Sequence, residues 1–256
     1  MRLNFASYDL IVVNTSAGKD SQTTLLKVVE RARACGVLDR VVAVHSDLGR
    51  MEWDGVKELA HKQCEHYGVP LVIVKRPGDE DLLGYIERRG KWPDAARRFC
   101  TSDFKRDPVS KFIRNRVPAG RVLNCMGMRA SESPARSKLK AFEIDKRLTT
   151  KSRRVDRWLP IHKWSLNRVW KSIKESGVPY HPIYDVGMPR LSCKFCIFAP
   201  KAALIIAGQH DPELLADYVR VERKIDHKFR LSLPIAEVKS ALDSGEKVEK
   251  IPDWRM

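Results

Sequence analysis

Leu10-Ile11-Val12-Val13-Asn14-Thr15-Ser16-Ala17-Gly18-Lys19-Asp20-Ser21-Gln22-Thr23-Thr24-Leu25-Leu26 decides the fold. The apolar run ending at Asn14 predicts a buried strand. Ser16 to Ser21 predicts a tight polar loop, and Gln22 to Val29 an amphipathic helix. Small residues let the backbone approach a ligand, and a helix N-terminus presents unpaired N–H groups to it. The loop is therefore an anion cradle to which Lys19 adds charge. It is not the Walker pattern, which needs GxxxxGK[ST].

Outward from this segment the same alternation repeats. Val41 to His45 predicts a second strand, Glu52 to His66 a helix, and Pro70 to Val74 a third strand. A helical region around Asp107 to Asn115 precedes a fourth strand, Val122 to Met126. Strands alternating with helices predict βαβ units, hence an α/β fold: a Rossmann-like parallel sheet flanked by helices. Residues 134–157 are polar and basic and predict a loop or short hairpin that orders on binding. Asn167 to Ser176 predicts a helix ended by Gly177 and Pro179. Beyond Cys196 the chain turns helical: Asp211-Pro212-Glu213 places an N-cap, a proline and an acidic first turn, and Pro234 to Leu242 predicts a last helix. The expected organisation is a nucleotide-binding domain over 1–200 and a helical C-terminal extension over 201–256 packed on it.

The chain has 256 residues, of which 31% are charged and 43% hydrophobic, as expected of a soluble globular protein. No apolar run approaches a membrane span, and an Asp at position 9 comes too early for a signal peptide. Six Cys in a chain this long do not form a disulfide scaffold, so a reducing cytoplasm is expected, with no membrane partner. The formal net charge is +16, and residues 86–175 alone hold 25 Lys/Arg against 9 Asp/Glu. A localised basic block predicts a polyanionic partner, nucleic acid or a multiply phosphorylated nucleotide.

The order Ser-x-Gly-Lys-Asp-Ser resembles the PP-loop of ATP pyrophosphatases and sulfonucleotide reductases. Two further segments strengthen the resemblance, specifically to the phosphoadenosine-phosphosulfate (PAPS) reductase family of adenine nucleotide alpha hydrolase-like folds. They are Asp47, Gly49 and Glu52 after the second strand, and Gly127, Arg129 and Ser133 after the fourth. The likeness continues through Pro160 to Trp164 and Tyr180 to Gly187, covering roughly residues 8–200. It implies an ATP, PAPS or APS site built from Ser16, Gly18, Lys19, Asp20, Ser21, Asp47, Gly49, Gly127, Arg129 and Ser133. Hydroxyls, backbone N–H and cations suit phosphate oxygens, and Asp20 or Asp47 suits a Mg²⁺ on those phosphates. Lys19, Asp20, Asp47 and Arg129 are the expected catalytic residues, with attack at the α-phosphorus or use of an adenylated sulfate. Asp47 as a helix cap, and Glu132 as a capping carboxylate, are the structural alternatives.

Cys193-Lys194-Phe195-Cys196 is a CxxC, and Cys100 lies far away in sequence with Lys105 and Pro108 after it. Iron–sulfur sulfonucleotide reductases place cysteines at both positions, with a Cys-Cys pair where this chain has Phe99-Cys100. Three thiolates on Cys100, Cys193 and Cys196 resemble the arrangement in PP-loop tRNA thiolation enzymes, where a [4Fe–4S] cluster keeps one iron open. Zinc and a redox CxxC are the other metal and sulfur readings. Cys35, Cys64 and Cys125 are expected in the core. No Cys follows Cys196 in this sequence, whereas the reductases use a tail thiolate.

Trp92, Trp158, Trp164 and Trp170 lie among the cations of the basic block. Trp164 and Trp170 are expected in the core, Trp92 and Trp158 at the surface, where rings stack on unpaired bases. Arg136, Lys138, Lys140, Arg153, Arg154 and Arg157 are the expected phosphate contacts. The resulting expectation is an enzyme that adenylates an atom of tRNA or DNA for sulfur transfer, drawing on a sulfur donor protein. A sulfonucleotide reductase using thioredoxin is the first alternative, and a nucleic-acid-binding module without turnover the second. A homodimer would be one way to complete a site short of a ligand.

Overall fold

The structure is a computed structural model and describes residues 3–254. In chain order its main elements are β1 (Leu10–Thr15), α1 (Lys19–Ala34), β2 (Val41–Ser46), α2 (Val56–Tyr67), β3 (Leu71–Val74), α3 (Leu82–Arg89), a helical turn α4 (Phe99–Thr101), α5 (Asp107–Arg116), β4 (Gly120–Cys125), a short α6 (Pro134–Ser137), β5 (Phe142–Ile144), β6 (Arg153–Trp158), α7 (Leu166–Ser176), α8 (Lys201–His210), α9 (Pro212–Lys224) and α10 (Ile235–Asp243). Among the described residues no helix is long and apolar enough to cross a membrane.

The contacts divide the chain into two compact units. The first holds residues up to 47, then 55–75 and 106–181; the second holds 48–54, 76–105 and 182 onward. The expected boundary at 200 differs from this division. The helical unit gathers three separate stretches because α3 and the segment after it belong with α9. Trp92 stacks on Tyr218 with ring centroids 5.2 Å apart, and Glu87 pairs with Arg220 and Lys224.

The first unit is a six-stranded sheet in the order β3-β2-β1-β4-β6-β5. All neighbours are parallel except β5, which runs antiparallel to β6. The interior strands carry apolar residues on both faces, as a sheet covered on both sides requires. Ile11 and Val13 face a core shared with Leu25, Val28 and Val29 of α1 and with Cys64 and Tyr67 of α2. Leu10 and Val12 face the opposite core with Val109 and Ile113 of α5 and Val155 of β6. Parallel registry aligns Val13 with Ala43 on one side and Cys125 on the other, so β1, β2 and β4 end close together. Ligands of such sheets bind beyond those carboxyl ends.

The stretch expected as a loop or hairpin over 134–157 contains β5 and β6, and β6 is an interior strand of the sheet. Its polar sequence is tolerated because its buried groups are paired. The Arg153 guanidinium, 6% exposed, donates to the carbonyls of Leu148 and Val117. Asp156, fully buried, accepts from the Tyr8 hydroxyl at 2.9 Å and pairs with Arg154. Arg153 is thus a structural residue and not a phosphate contact. Arg154 and Arg157 are likewise engaged, Arg157 with Glu143. The helix expected from Glu52 begins later, at Val56, because Gly55 takes a left-handed φ of 80°.

The second unit packs α3, α8, α9 and α10 around Trp92, Tyr218 and Phe229. Trp92 is 3% exposed and its indole N–H donates to the His227 carbonyl, so it is core and not the surface ring expected. Asp211 caps α9 by accepting from Leu214 N–H, as its sequence context predicts. The Glu222 carboxylate, 7% exposed, accepts from the N–H groups of Phe229, Ile235 and Ala236 and so caps α10 from the neighbouring helix.

Burial pushes the Cys64 thiol up to about 12 from its ordinary 9.0, and the Cys125 thiol well above 9.0. A raised folded value means that the unfolded chain ionises first. Stability from Cys64 is therefore complete below pH 9 and is lost as pH climbs toward 12. Between pH 8 and 10.5 the Cys64 share is about 2 kcal/mol. Urea unfolding under reducing, oxygen-free conditions should show a Cys64→Ala variant losing that much less stability over this interval. An identical loss in the variant would show that this thiol is not linked to folding.

Candidate phosphate cradle and thiol cluster

Between β1 and α1 the backbone makes one sharp departure. Ala17, fully buried, sits at φ 55°, a left-handed conformation that a residue with a Cβ rarely adopts. Three side chains hold it there. The Thr15 hydroxyl accepts from Ala17 N–H, and the Gln63 amide donates to the Ala17 carbonyl at 3.2 Å. The Ser21 hydroxyl donates to Gly18 O and accepts from Ser16 N–H, closing the loop on itself. Gly18 caps α1 through its backbone, so the first-turn N–H groups at Lys19 to Ser21 are directed outward from a helix of 16 residues. Such an N-terminus carries a partial positive charge.

Gly127, two residues beyond β4, packs directly on this terminus. A Cβ on it would lie 2.7 Å from the Asp20 carbonyl oxygen and 3.0 Å from Ser21 N, so only glycine permits the approach. The approach delivers Arg129, 5% exposed, to Asp20: its Nε donates to the Asp20 carboxylate at 2.6 Å. Lys19, 4% exposed, reaches the other carboxylate oxygen at 3.4 Å. One acid thus holds two nearly buried cations side by side, leaving one net positive charge at a helix N-terminus. That combination has the charge and donors that suit phosphate-type anions. Glu132 is a structural residue here: it accepts from Arg129 N–H at 2.8 Å and pairs with Arg136. Ser133 caps α6 by accepting from Arg136 N–H.

The segment after β2 is distributed differently. Asp47 belongs to the first unit, its N–H donating to Val74 O at 2.8 Å and its carboxylate pairing with Lys57 of α2 at 3.3 Å. Gly49 and Glu52 belong to the second unit. Gly49 takes φ 59° at the start of a short helical turn, and the Glu52 carboxylate accepts from Leu48 N–H. The first unit therefore joins Ser16, Gly18, Lys19, Asp20, Ser21, Gly127, Arg129 and Ser133 in one neighbourhood, with Asp47 at the next strand end.

Sequence reasoning missed Gln22 and Gln63. Both are essentially buried, and both donate to the Pro179 carbonyl, tying α1 and α2 to the chain after α7. The available signal was a glutamine at an inward position of an amphipathic helix, as at Gln63 beside Cys64.

In the second unit, Cys100, Cys193 and Cys196 approach one another closely enough for their charges to interact. Burial, then the neighbouring Cys193, pushes Cys196 up to about 11 and raises Cys100 as well. The Cys193 sulfur, opposed by burial and aided by Cys100, Cys196 and Glu52, holds the Lys105 ammonium above its ordinary range. The CxxC turn is anchored by Lys194, whose ammonium donates to Asp211 at 2.7 Å and to Asp54 at 3.0 Å. Its backbone N–H donates to Met51 O. Arg98 lies over the Phe198 ring at 4.5 Å, tying the Cys100 turn to the same loop. Three neighbouring thiols have the donor chemistry of an iron–sulfur or zinc site. Among the described residues, however, no three His, Cys, Asp or Glu side chains stand as a ligand set.

Gly127→Ala should destabilise the first unit by about 1–3 kcal/mol through overpacking and displace Arg129 from the cradle. Calorimetric titration should then show ATP binding weakened by roughly tenfold, the effect of about 1.4 kcal/mol. Unchanged affinity would mean that phosphate does not bind at this contact.

Comparison with known proteins agrees with this geometry. The family model of the phosphoadenosine phosphosulfate reductase domain matches residues 10–199. An uncharacterised 37.8 kDa protein of Escherichia phage 186 is 30% identical over 171 residues, 65% of this chain and 50% of that protein. Adenosine 5'-phosphosulfate reductase of Neisseria meningitidis serogroup A is 27% identical over 206 residues, 78% of this chain and 71% of the relative. The chain thus spans half the length of the phage relative. Among solved structures, PAPS reductase from Candida auris in a phosphate complex shares the fold at TM-score 0.50 and 18% identity, over 73% of this chain and 83% of that one. FMN adenylyltransferase of Candida glabrata, in complex with FAD and inorganic pyrophosphate, does so at TM-score 0.51 and 16% identity, over 74% and 58%. With its strand order, its cradle and a matched segment running from β1 past Cys196, the chain belongs to the phosphoadenosine phosphosulfate reductase domain family.

Proposed function

We propose that this protein is an ATP-dependent enzyme that adenylates an atom of a nucleic acid, tRNA or DNA, and prepares that position for sulfur transfer. The observation that carries the reading is the pair of nearly buried cations, Lys19 and Arg129, held by Asp20 at the N-terminus of α1. Two cations and a helix terminus converging on one point suit a polyphosphate whose charge grows as it leaves. In the proposed step a nucleophilic oxygen of the substrate attacks the α-phosphorus and the bond to pyrophosphate breaks. Lys19, Arg129 and the first-turn N–H groups take up the charge gathering on the leaving group. The adenylated position is then open to displacement by a donor's sulfur, with AMP leaving.

The basic excess of residues 86–175 supports a nucleic-acid substrate, and the three thiols support sulfur chemistry. Asp20 and Asp47 are the carboxylates suited to a Mg²⁺ that would neutralise phosphate charge. Cys100, Cys193 and Cys196 are the thiols whose donor chemistry suits an iron–sulfur cluster or zinc, a group that would supply affinity for sulfur or another soft ligand.

A second reading, reduction of PAPS or APS with thioredoxin as reductant, is favoured by one observation. The Neisseria meningitidis relative bears the name adenosine 5'-phosphosulfate reductase and aligns over 78% of this chain.

The two readings give different products. With ATP and total tRNA or DNA, the first yields AMP and pyrophosphate in a nucleic-acid-dependent manner. With APS or PAPS and reduced thioredoxin, the second yields sulfite. Lys19→Ala should lower either activity by roughly 10²–10³-fold, the range for one lost electrostatic donor, while circular dichroism stays unchanged. Wild-type pyrophosphate release in the variant would remove the cradle from the mechanism.

A further inference from the structure

Along the β3 edge of the first unit runs an open groove of about 380 Å³. One wall is the end of β3 with Lys75, the other a single stripe of α5. Positions 108, 111, 112, 115 and 116 follow the helical period; Val109, Ile113 and Val117 lie in the core, and the half-buried Phe112 packs against the edge of that core while also lining the groove. The stripe extends about 12 Å from Pro108 to Arg116, at 1.5 Å per residue.

Three cations line this groove, Lys75, Lys111 and Arg116, and no carboxylate does. All three are exposed, and none has an ion-pair partner among the described residues. Between them the half-buried Phe112 ring and the Asn115 amide face the same space. Val74, which lines the groove at the carboxyl end of β3, accepts the backbone hydrogen bond of Asp47.

We infer that this groove binds an unpaired strand of nucleic acid, its phosphates on Lys75, Lys111 and Arg116 and a base stacked on Phe112. The inference rests on the nucleic-acid reading above and assigns a place to the substrate. Cations on both walls of one groove suit a chain of phosphates better than a single anion. A recessed ring suits a base whose face is free, which a duplex does not offer.

The test is fluorescence anisotropy with labelled twelve-nucleotide single strands of RNA and of DNA, titrated at several salt concentrations, beside a duplex of the same sequence. Wild type should prefer a single strand. Lys111→Gln with Arg116→Gln should weaken binding by about tenfold or more and reduce the salt slope by about 1.4, two contacts at about 0.7 each for single strands. Phe112→Leu, which keeps an apolar side chain but removes the ring, should weaken single-strand binding by about fivefold or more, the lower end for one lost stack. Its duplex binding should not change. Lys171→Gln with Lys174→Gln, an equal charge change on α7, should stay within about twofold of wild type. Failure of wild type to bind any strand overturns the nucleic-acid reading itself. Binding that survives in both groove variants, falls equally in the α7 control, or favours duplex leaves that reading standing and overturns the groove.

Discussion

The meeting of Lys19, Asp20 and Arg129 at the sheet's carboxyl end depends on the contact between Gly127 and the first turn of α1. The space for a missing methyl group lets the chain leaving β4 touch the Asp20 carbonyl and Ser21 amide. Only at that separation can Arg129 reach the Asp20 carboxylate and stand beside Lys19. The contact follows from the sheet: β1 pairs with β4 in parallel, with Val13 opposite Cys125, so the two following segments emerge side by side. Registry fixes the approach, and the absence of a side chain permits it.

Holding cations together without a ligand requires compensation. Lys19 and Arg129 repel each other in a nearly dry environment, and Asp20 neutralises part of that charge. The backbone is constrained as well, with Ala17 in the left-handed region under a clamp from Gln63, Thr15 and the loop serines. Gln22 and Gln63 extend the clamp to the carbonyl of Pro179, so three stretches of chain hold one loop. This is preorganisation: the donors stand in place before any anion arrives.

The strands β1, β2, β3 and β4 were legible in the sequence because parallel strands covered on both faces are apolar runs, and no special pairing is needed to explain them. The cradle was legible because small residues, lysine and the start of a helix coincide in six positions. β6 was not, since Arg153-Arg154-Val155-Asp156-Arg157-Trp158 looks like a solvated basic segment. It becomes an interior strand only through partners far away in sequence: the Val117 carbonyl, the Tyr8 hydroxyl and Arg121. Trp92 misled for the same reason. Its charged neighbours in sequence say nothing of Tyr218 and Phe229, which enclose it. The helical unit was partly legible, through the Asp211-Pro212 cap, but its recruitment of residues 76–105 depends on contacts that no local pattern announces.

The basic block also changes meaning once its acids are placed. Glu132, Glu143, Asp107 and Asp156 each take an arginine, which removes Arg136, Arg157, Arg147 and Arg154 from the pool of free cations. Arg153 is withdrawn by backbone carbonyls. A net charge of +16 raises the local concentration of polyanions, but physiological salt screens its field beyond about 8–10 Å. Specific contact therefore falls to cations that are exposed, close together and not already paired. In the β3–α5 groove proposed as the strand site, Lys75, Lys111 and Arg116 are exposed and line one space together with the Phe112 ring and the Asn115 amide. Composition predicts a polyanionic partner, but only the pairing pattern shows which cations remain to meet one.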